Sequence, residues 1–349
     1  MRLLRGMHNP GLIAACQHLS TNKSSPNTAC VATIGNFDGV HLGHQAILEQ
    51  VVTEAKTQDL RSVVIIFEPQ PLEYFKADEA PVRLMRFREK YQAISEYGID
   101  FVFCLKFDAH LSQLSAEEFI QQVLVDHLSI KHLVIGDDFR FGGDRSGDYA
   151  LLKDAGKRFG FSVESTQTVE CEESPLRVSS TLIRELLAKS NFSAAENALG
   201  RPYSFMGKVI HGQKLGRQLG FPTANVALKR TKVPFSGVYV VSLYLNGEDN
   251  TPYQGVANVG VKPTVGNYLP SLEVHLFGFD RDIYGRNVRC VITTDCFRFD
   301  NNIFKNLVNR VTNMNTTVCI RRAIMKNKLL CSRPGGSDLL IQIHILPLL

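Results

Sequence analysis

"GNFDGVHLGHQ", residues 35–45, follows the apolar run "CVATI" (30–34) and leads into a stretch with helical spacing. A β-rich strand, a glycine-bounded turn and a helix in succession form the opening unit of a parallel α/β fold. The turn also carries Asn36, Asp38, His41 and His44, which neither a buried core nor a plain surface turn needs. Backbone N–H groups at such a helix start can hold an anion. His41 and His44, at i and i+3, can face one ligand there. Imidazoles donate hydrogen bonds to phosphate without the permanent charge of a lysine. Three readings stand at this point. The pair stabilises charge on a transferring phosphoryl group, or it belongs to a capping turn and is merely exposed, or it binds a metal, for which a third ligand is lacking nearby.

Working outward, the same alternation continues. "SVVIIF", a helix around 84–97, "FVFCLKF", the helix "AEEFIQQVLVDHL" and "HLVIG" follow in order. Short apolar strands alternating with helices predict a parallel sheet covered on both faces. Ligands in such sheets gather at the carboxyl ends of the strands, where "GNFDGVHLGH", "EPQP" and "GDDFRFGG" all fall. From about residue 200 the texture changes. "GKVIHG", "GVYVVSLYL", "YQGVANVG", "LEVHLFGF" and "RNVRCVIT" are alternating runs separated by Gly, Pro and Asn, with no long helix between them. They predict an antiparallel barrel. The expected organisation is an α/β module over 1–186, a helical linker over 187–199, a barrel over 200–310 and an atypical tail over 311–349. Gly200 and Pro202 close the linker.

Composition narrows the function classes. Of the 39 Lys and Arg and 34 Asp and Glu, residues 291–349 hold 8 and 3, which leaves 31 of each sign in 1–290. The net charge of +5 therefore sits in the tail, and a basic nucleic-acid face on the folded part is unsupported. No stretch approaches the roughly 18 apolar residues that span a bilayer. The 8 cysteines include no C-x-x-C pair, which argues against a zinc site and for a reducing, cytoplasmic setting.

Two further stretches carry chemistry. In "VSSTLIRELL" (178–187) the hydroxyls of Ser179, Ser180 and Thr181 suit an N-cap. With Arg184 one turn in, they also suit an anion site. In "GFPTANV" (220–226), Thr223 and Asn225 lie at i and i+2 on an extended segment and share a face. A hydroxyl and an amide oxygen there suit a hard cation such as Mg²⁺. Gly212, Gly216 and Gly220 let the preceding loop approach phosphates, although a tight turn explains them equally well. Glu273 in "LEVHLF" shares a strand face with His275, opposite Leu272, Val274 and Leu276. It is either a base for a hydroxyl nucleophile or half of a solvent-facing pair.

"GNFDGVHLGH", "FEPQP", "GDDFRFG" and "SSTLIR", in this order, resemble the adenylyltransferase module of the bacterial bifunctional riboflavin kinase/FMN adenylyltransferase (FAD synthetase) family. "GQKLGRQLGFPTANV" resembles the kinase module of the same family, and the similarity runs from residue 1 to about 288. The resemblance implies a nucleotidylyltransferase-type, Rossmann-like α/β domain followed by a flavokinase-like β-barrel. It makes His41 and His44, with Asn36 and Gly43 beside them, the ATP-phosphate contacts, and Ser180, Thr181 and Arg184 a second phosphate clamp. Phe67, Pro69, Asp138, Phe139 and Phe141 lie where the family holds flavin or nucleotide, although the phenylalanines could equally be core. Gly212 and Gly216 fall in the ATP loop of the kinase, Thr223 and Asn225 at its Mg²⁺, and Glu273 at the base that receives the proton of riboflavin's 5′-hydroxyl. The implied reactions phosphorylate riboflavin to FMN and adenylylate FMN to FAD with release of pyrophosphate. Both use ATP and Mg²⁺, with riboflavin, FMN and ATP as the only expected partners.

After "DIYGRNVR" the resemblance stops. The family continues with a charged strand and an amphipathic helix, whereas residues 291–349 contain no Glu and end in "ILPLL". A frameshift near residue 290 or a divergent tail explains this. On the frameshift reading the barrel loses its last strand and helix, and either the adenylyltransferase alone works or the chain only binds flavin. Ile303, Leu307 and Val311 still keep a helical spacing.

Overall fold

The protein is described here from a computed structural model, which covers residues 1–7, 29–166, 169–171, 174–212, 222–248, 251–261 and 269–293. The expected Gly216 and the helical spacing at 303–311 lie outside these residues.

The first module is a 6-stranded parallel sheet, ordered β1-β4-β3-β2-β5-β6. Its strands are β1 (Arg2–Arg5), β2 (Cys30–Ile34), β3 (Arg61–Glu68), β4 (Phe101–Lys106), β5 (Ile130–Gly136) and β6 (Ser162–Thr166). β2, β3 and β5 are central and almost wholly buried, as apolar strands covered on both faces must be. The helices are α1 (Leu42–Thr57), α2 (Pro71–Phe75), α3 (Phe87–Ser95), α4 (Ala109–Gln113), α5 (Ala116–Phe119) and α6 (Tyr149–Phe159). Two apolar clusters fill the two faces. One packs Leu48, Val51 and Ile94 against Val31 and Val64, and the other packs Ile120, Leu124 and Leu152 against Ala32 and Ile65. The helix expected over 116–128 widens after Phe119 into a π-helical stretch, Ile120–His127, that still buries Ile120, Val123 and Leu124. β1 was not anticipated: "RLLR" is too short and too charged to stand out by hydropathy, yet it pairs in register with β4.

A short hairpin, β7 (Glu170–Cys171) and β8 (Ser174–Arg177), leads to helices α7 (Ser180–Ala188) and α8 (Phe192–Leu199). Ile183, Leu187, Phe192 and Leu199 of these helices share one apolar cluster with the barrel residues Phe205, Phe235, Tyr239 and Val241. The barrel is closed, in the order β10-β13-β12-β11-β14-β9. Its strands are β9 (Ser204–Ile210), β10 (Ala224–Ala227), β11 (Gly237–Leu245), β12 (Tyr253–Val261), β13 (Pro270–Leu276) and β14 (Asn287–Ile292).

The expectation that an odd tail would strip the barrel of its last strand is corrected here. β14 pairs with β9 from Asn287 to Val291 and with β11 from Val288 to Ile292, so closure is complete by Ile292 and no edge is left open. Among the described residues, no helix is long and apolar enough to cross a membrane. Cys30, Cys104 and Cys290 are buried and take part in no disulfide among the described residues.

Candidate active sites

The turn between β2 and α1 holds the first site. His41 caps α1, its Nδ1 accepting from the His44 amide at a long 3.4 Å. The capping reading is therefore correct for that one nitrogen, and it leaves Nε2 as the protonated, donating edge of the ring. The rings of His41 and His44 stack at 3.7 Å and 21°, with Phe37 tilted against His44 at 4.9 Å. Gly43 gives the His41 ring room, since a Cβ there would lie a tight 3.3 Å from it. His41 is buried, and His44 Nδ1 is buried with no hydrogen-bond partner among the described residues. Burial lowers the His41 pKa to about 4, although Asp38 opposes it. Burial, and then the neighbouring His41, holds His44 well below its ordinary value. Both imidazoles are neutral at pH 7. Asn36 beside them is exposed.

Asp38 ties the distant motifs together. Its buried carboxylate accepts from the amides of Leu84 (3.0 Å) and Met85 (2.9 Å), and its Oδ2 pairs with Arg184 Nη2 at 2.6 Å. Ser180 Oγ donates to the Asp38 carbonyl at 2.8 Å, while Ser179 supplies the N-cap of α7. His41, His44, Ser180 and Arg184 are thus assembled around Asp38, with Thr181 exposed beside them. Arg184 is held by two partners. Asp38 neutralises it and Val82 O accepts from its Nε at 2.6 Å, so it locks α7 onto the turn.

Sequence reasoning missed the segment that holds Asp38. Leu84 and Met85 contribute through backbone amides, which no side-chain pattern reveals. Lys90, on α3, was missed too: it is completely buried, its Nζ has no partner among the described residues, and burial lowers its pKa. At the end of β3, Arg83 bridges Glu68 (2.7 Å) and Glu73, which accounts for the acid in "FEPQP".

The aromatic candidates separate. Phe141 is a core residue: it is buried, and its backbone exchanges hydrogen bonds with Gly147 at 3.1 and 3.0 Å. Phe139, stacked on it at 5.5 Å, is half-buried. Phe67 is half-buried against Phe107 at 5.8 Å, and Pro69 is exposed. Asp138 is exposed and pairs with Arg177 at 3.0 Å.

The barrel holds the second site. Register sets Glu273 of β13 directly opposite Asn225 of β10 on one side and Asn258 of β12 on the other. Directly opposed residues share a face, so an amide, a carboxylate and an amide form one row. Glu273 is buried, which removes the solvent-facing alternative. His275 is instead structural, its Nδ1 lying 2.9 Å from the Pro222 carbonyl and fastening the segment that carries Thr223. A Cβ on Gly212 would lie 2.3 Å from Asn225 Nδ2, so a larger residue there would displace the Asn225 side chain. Thr223 borders a cavity of about 390 Å³ walled by Val209, Val274, Leu276, Phe279 and Ile283, with Arg281 and Tyr284 among its polar lining. Glu273 and Asn225 do not border that cavity.

With this geometry in place, comparison with known proteins adds the following. Residues 23–182 match the family model described as FAD synthetase, and residues 199–310 match the one described as riboflavin kinase. The second match runs to residue 310, past the "DIYGRNVR" stretch where the resemblance stops. The bifunctional riboflavin kinase/FMN adenylyltransferase of Escherichia coli (strain K12) is 47% identical over 292 residues, covering 84% of this chain and 88% of that protein. The protein of the same description from Pseudomonas fluorescens is 49% identical over 292 residues, covering 83% and 88%. A solved structure described as a macrolide-efflux protein from Streptococcus pneumoniae aligns with a TM-score of 0.66 at 27% identity, over 94% of this chain and 99% of that one.

Proposed function

The chain belongs to the bifunctional riboflavin kinase/FMN adenylyltransferase family, and from that premise we propose how its residues divide the two reactions. It is a two-module enzyme that uses ATP and flavin substrates, the kinase in the barrel and the adenylyltransferase in the α/β module. One observation supports the reading: the histidine stack lies in the module matched to FAD synthetase, and the buried Glu273 row in the module matched to riboflavin kinase. A single active module would leave the Glu273 row or the histidine stack without a purpose.

In adenylyl transfer, the FMN phosphate attacks the α-phosphorus of ATP and pyrophosphate leaves. The proposed role of His41 and His44 is to donate from neutral rings to charge that develops on the phosphates, at the positive end of α1. Because neither ring titrates near pH 7, the site keeps these donors without adding a proton step. Ser180, Thr181 and the Asp38-bound Arg184 complete the phosphate side from α7, with Asn36 and Gly43 lining the turn. Phe67 and Phe139, with Pro69 and Asp138 near them, are the proposed flavin contacts. Phe141 supports Phe139 from below.

In the kinase, Glu273 accepts the proton of riboflavin's 5′-hydroxyl as that oxygen attacks the γ-phosphorus of ATP. Burial shields the carboxylate from water, and register sets it between Asn225 and Asn258. The donor set of Thr223 and Asn225 is all oxygen, and Gly212 leaves Asn225 its space, which suits Mg²⁺. When bound there, Mg²⁺ would offset the charge of the ATP phosphates. Gly212 and Gly216 belong to the loop that covers those phosphates.

The direct test incubates the full chain with riboflavin and MgATP, and separately with FMN and MgATP, and resolves the flavins chromatographically. FMN and FAD are expected from the first mixture and FAD from the second. FAD from FMN alone would leave an idle barrel, and no product from either would leave a flavin-binding protein.

A further inference from the structure

We propose that Arg201, which belongs to the barrel module in sequence, is a positioning residue for adenylyl transfer, holding the 37–40 turn in the shape that stacks His41 on His44. The inference rests on the assignment of that histidine pair to adenylyl transfer.

The turn is strained. Phe37 and Val40 have φ of 46° and 41°, a region that side chains avoid and that β-branched residues such as Val enter only under constraint. Such a turn must be held, and Arg201 holds it. Arg201 Nη1 donates to the Val40 carbonyl at 2.9 Å and to the Leu199 carbonyl at 3.1 Å, and Nη2 donates to the Gly39 carbonyl. All three oxygens are main-chain acceptors, so the fork of the guanidinium is spent on backbone shape. Gln45 on α1 repeats the bridge, its Nε2 donating to Val40 O at 2.9 Å and to Leu199 O at 2.7 Å. The residue after Val40 is His41, the cap of α1. A shift of the Gly39 and Val40 carbonyls therefore turns the first imidazole directly, and the second through the stack.

A second barrel arginine braces the other side of the turn. Arg230 donates to the carbonyls of Arg83 (3.1 Å) and Leu84 (3.2 Å) and pairs with the buried Glu89 at 2.6 Å. Leu84 in turn holds Asp38. The adenylyl-transfer turn is thus clamped from the module that carries the kinase, and its geometry depends on that module being docked.

The test is Arg201→Lys in the full chain, with Arg201→Ala beside it. Lysine keeps the charge but offers one point donor in place of a fork. Misplacing catalytic groups by about 1 Å costs up to about 10²-fold. The kcat for FAD formation from FMN should therefore fall roughly 10- to 100-fold. The KM for FMN should stay within about threefold, because the lost interaction is one of orientation. Riboflavin phosphorylation should stay within about twofold although Arg201 lies in the kinase module, because the Glu273 row is elsewhere. Generic destabilisation would do the reverse, lowering both activities in step with the melting temperature, and that outcome overturns the proposal. So does an unchanged kcat for FAD formation. If Arg201→Ala fails to fold, Arg201→Lys decides the matter. His44→Ala is run in parallel: if it leaves FAD formation intact, the histidine assignment is wrong and this inference falls with it. If only the Arg201 variants leave FAD formation intact, the clamp alone is wrong.

Discussion

The two sites are built in opposite ways. The adenylyl-transfer turn is local, with Phe37, Asp38, His41, Gly43 and His44 within eight consecutive residues, stacked and capped by their own neighbours. The kinase row is assembled from three strands: Asn225, Glu273 and Asn258 meet only because β10, β13 and β12 pair in one register. Chemistry confined to one turn leaves its signature in sequence spacing. Chemistry distributed over a barrel leaves single residues whose partners depend on pairing.

That contrast can be broken at either end. The largest effect is expected from Glu273→Gln, which keeps the size of the side chain but cannot take a proton. Riboflavin phosphorylation should fall by roughly 10²–10⁴, with riboflavin affinity changed little. FAD formation from FMN should stay within about twofold, since Glu273 belongs to the other module's site. If both reactions stop equally, the sites are not separate.

His44→Ala is the next largest. It removes one donor at a developing phosphate charge, a loss of about 10²–10³ in FAD formation, with the kinase untouched. A loss below about threefold removes the phosphate role of His44.

Gly212→Ala sharpens the comparison inside the barrel. The added carbon meets Asn225 Nδ2 at 2.3 Å, so the Asn225 amide must be displaced. Riboflavin phosphorylation should fall about tenfold, and a higher Mg²⁺ concentration should be needed for half-maximal rate. An unchanged Mg²⁺ dependence removes Asn225 from the metal site.

A last effect is on stability rather than on rate. His41 titrates near 6.5 when unfolded and near 4 when folded, so between these values the unfolded chain binds the extra proton. Its contribution is complete above about pH 6.5 and is lost as pH falls towards 4, about 3 kcal/mol over the whole window. Denaturant midpoints measured from pH 7 to 4.5 should fall less steeply in His41→Gln. An equal slope in the two proteins would contradict a buried neutral imidazole.

Periodicity alone placed most of the strands, because a strand buried on both faces is almost entirely apolar and a barrel strand alternates. It could not place β1, where four residues with two arginines join a sheet edge. The resemblance carried the site roles, and the structure supplies their physical reasons unevenly. Ser180 and Arg184 reach the turn through Asp38, a residue noticed in sequence but given no role there. Lys90 and Arg201 could not be read at all. A lysine on a helical surface pattern gives no sign of being buried, and an arginine beside Gly200 reads only as part of a hinge. Phe141 and Phe139 alternate as strand neighbours do, yet only their surroundings tell core from ligand contact.

The claim of two separate sites is tested most directly by mixing two defective proteins. Glu273→Gln supplied with riboflavin and MgATP should make almost no FMN, and His44→Ala should make FMN but little FAD. Combined in one tube, they should form FAD from riboflavin at a rate approaching that of the wild-type chain, as FMN released by one protein is adenylylated by the other. A mixture that yields no more FAD than the sum of its parts would contradict the account.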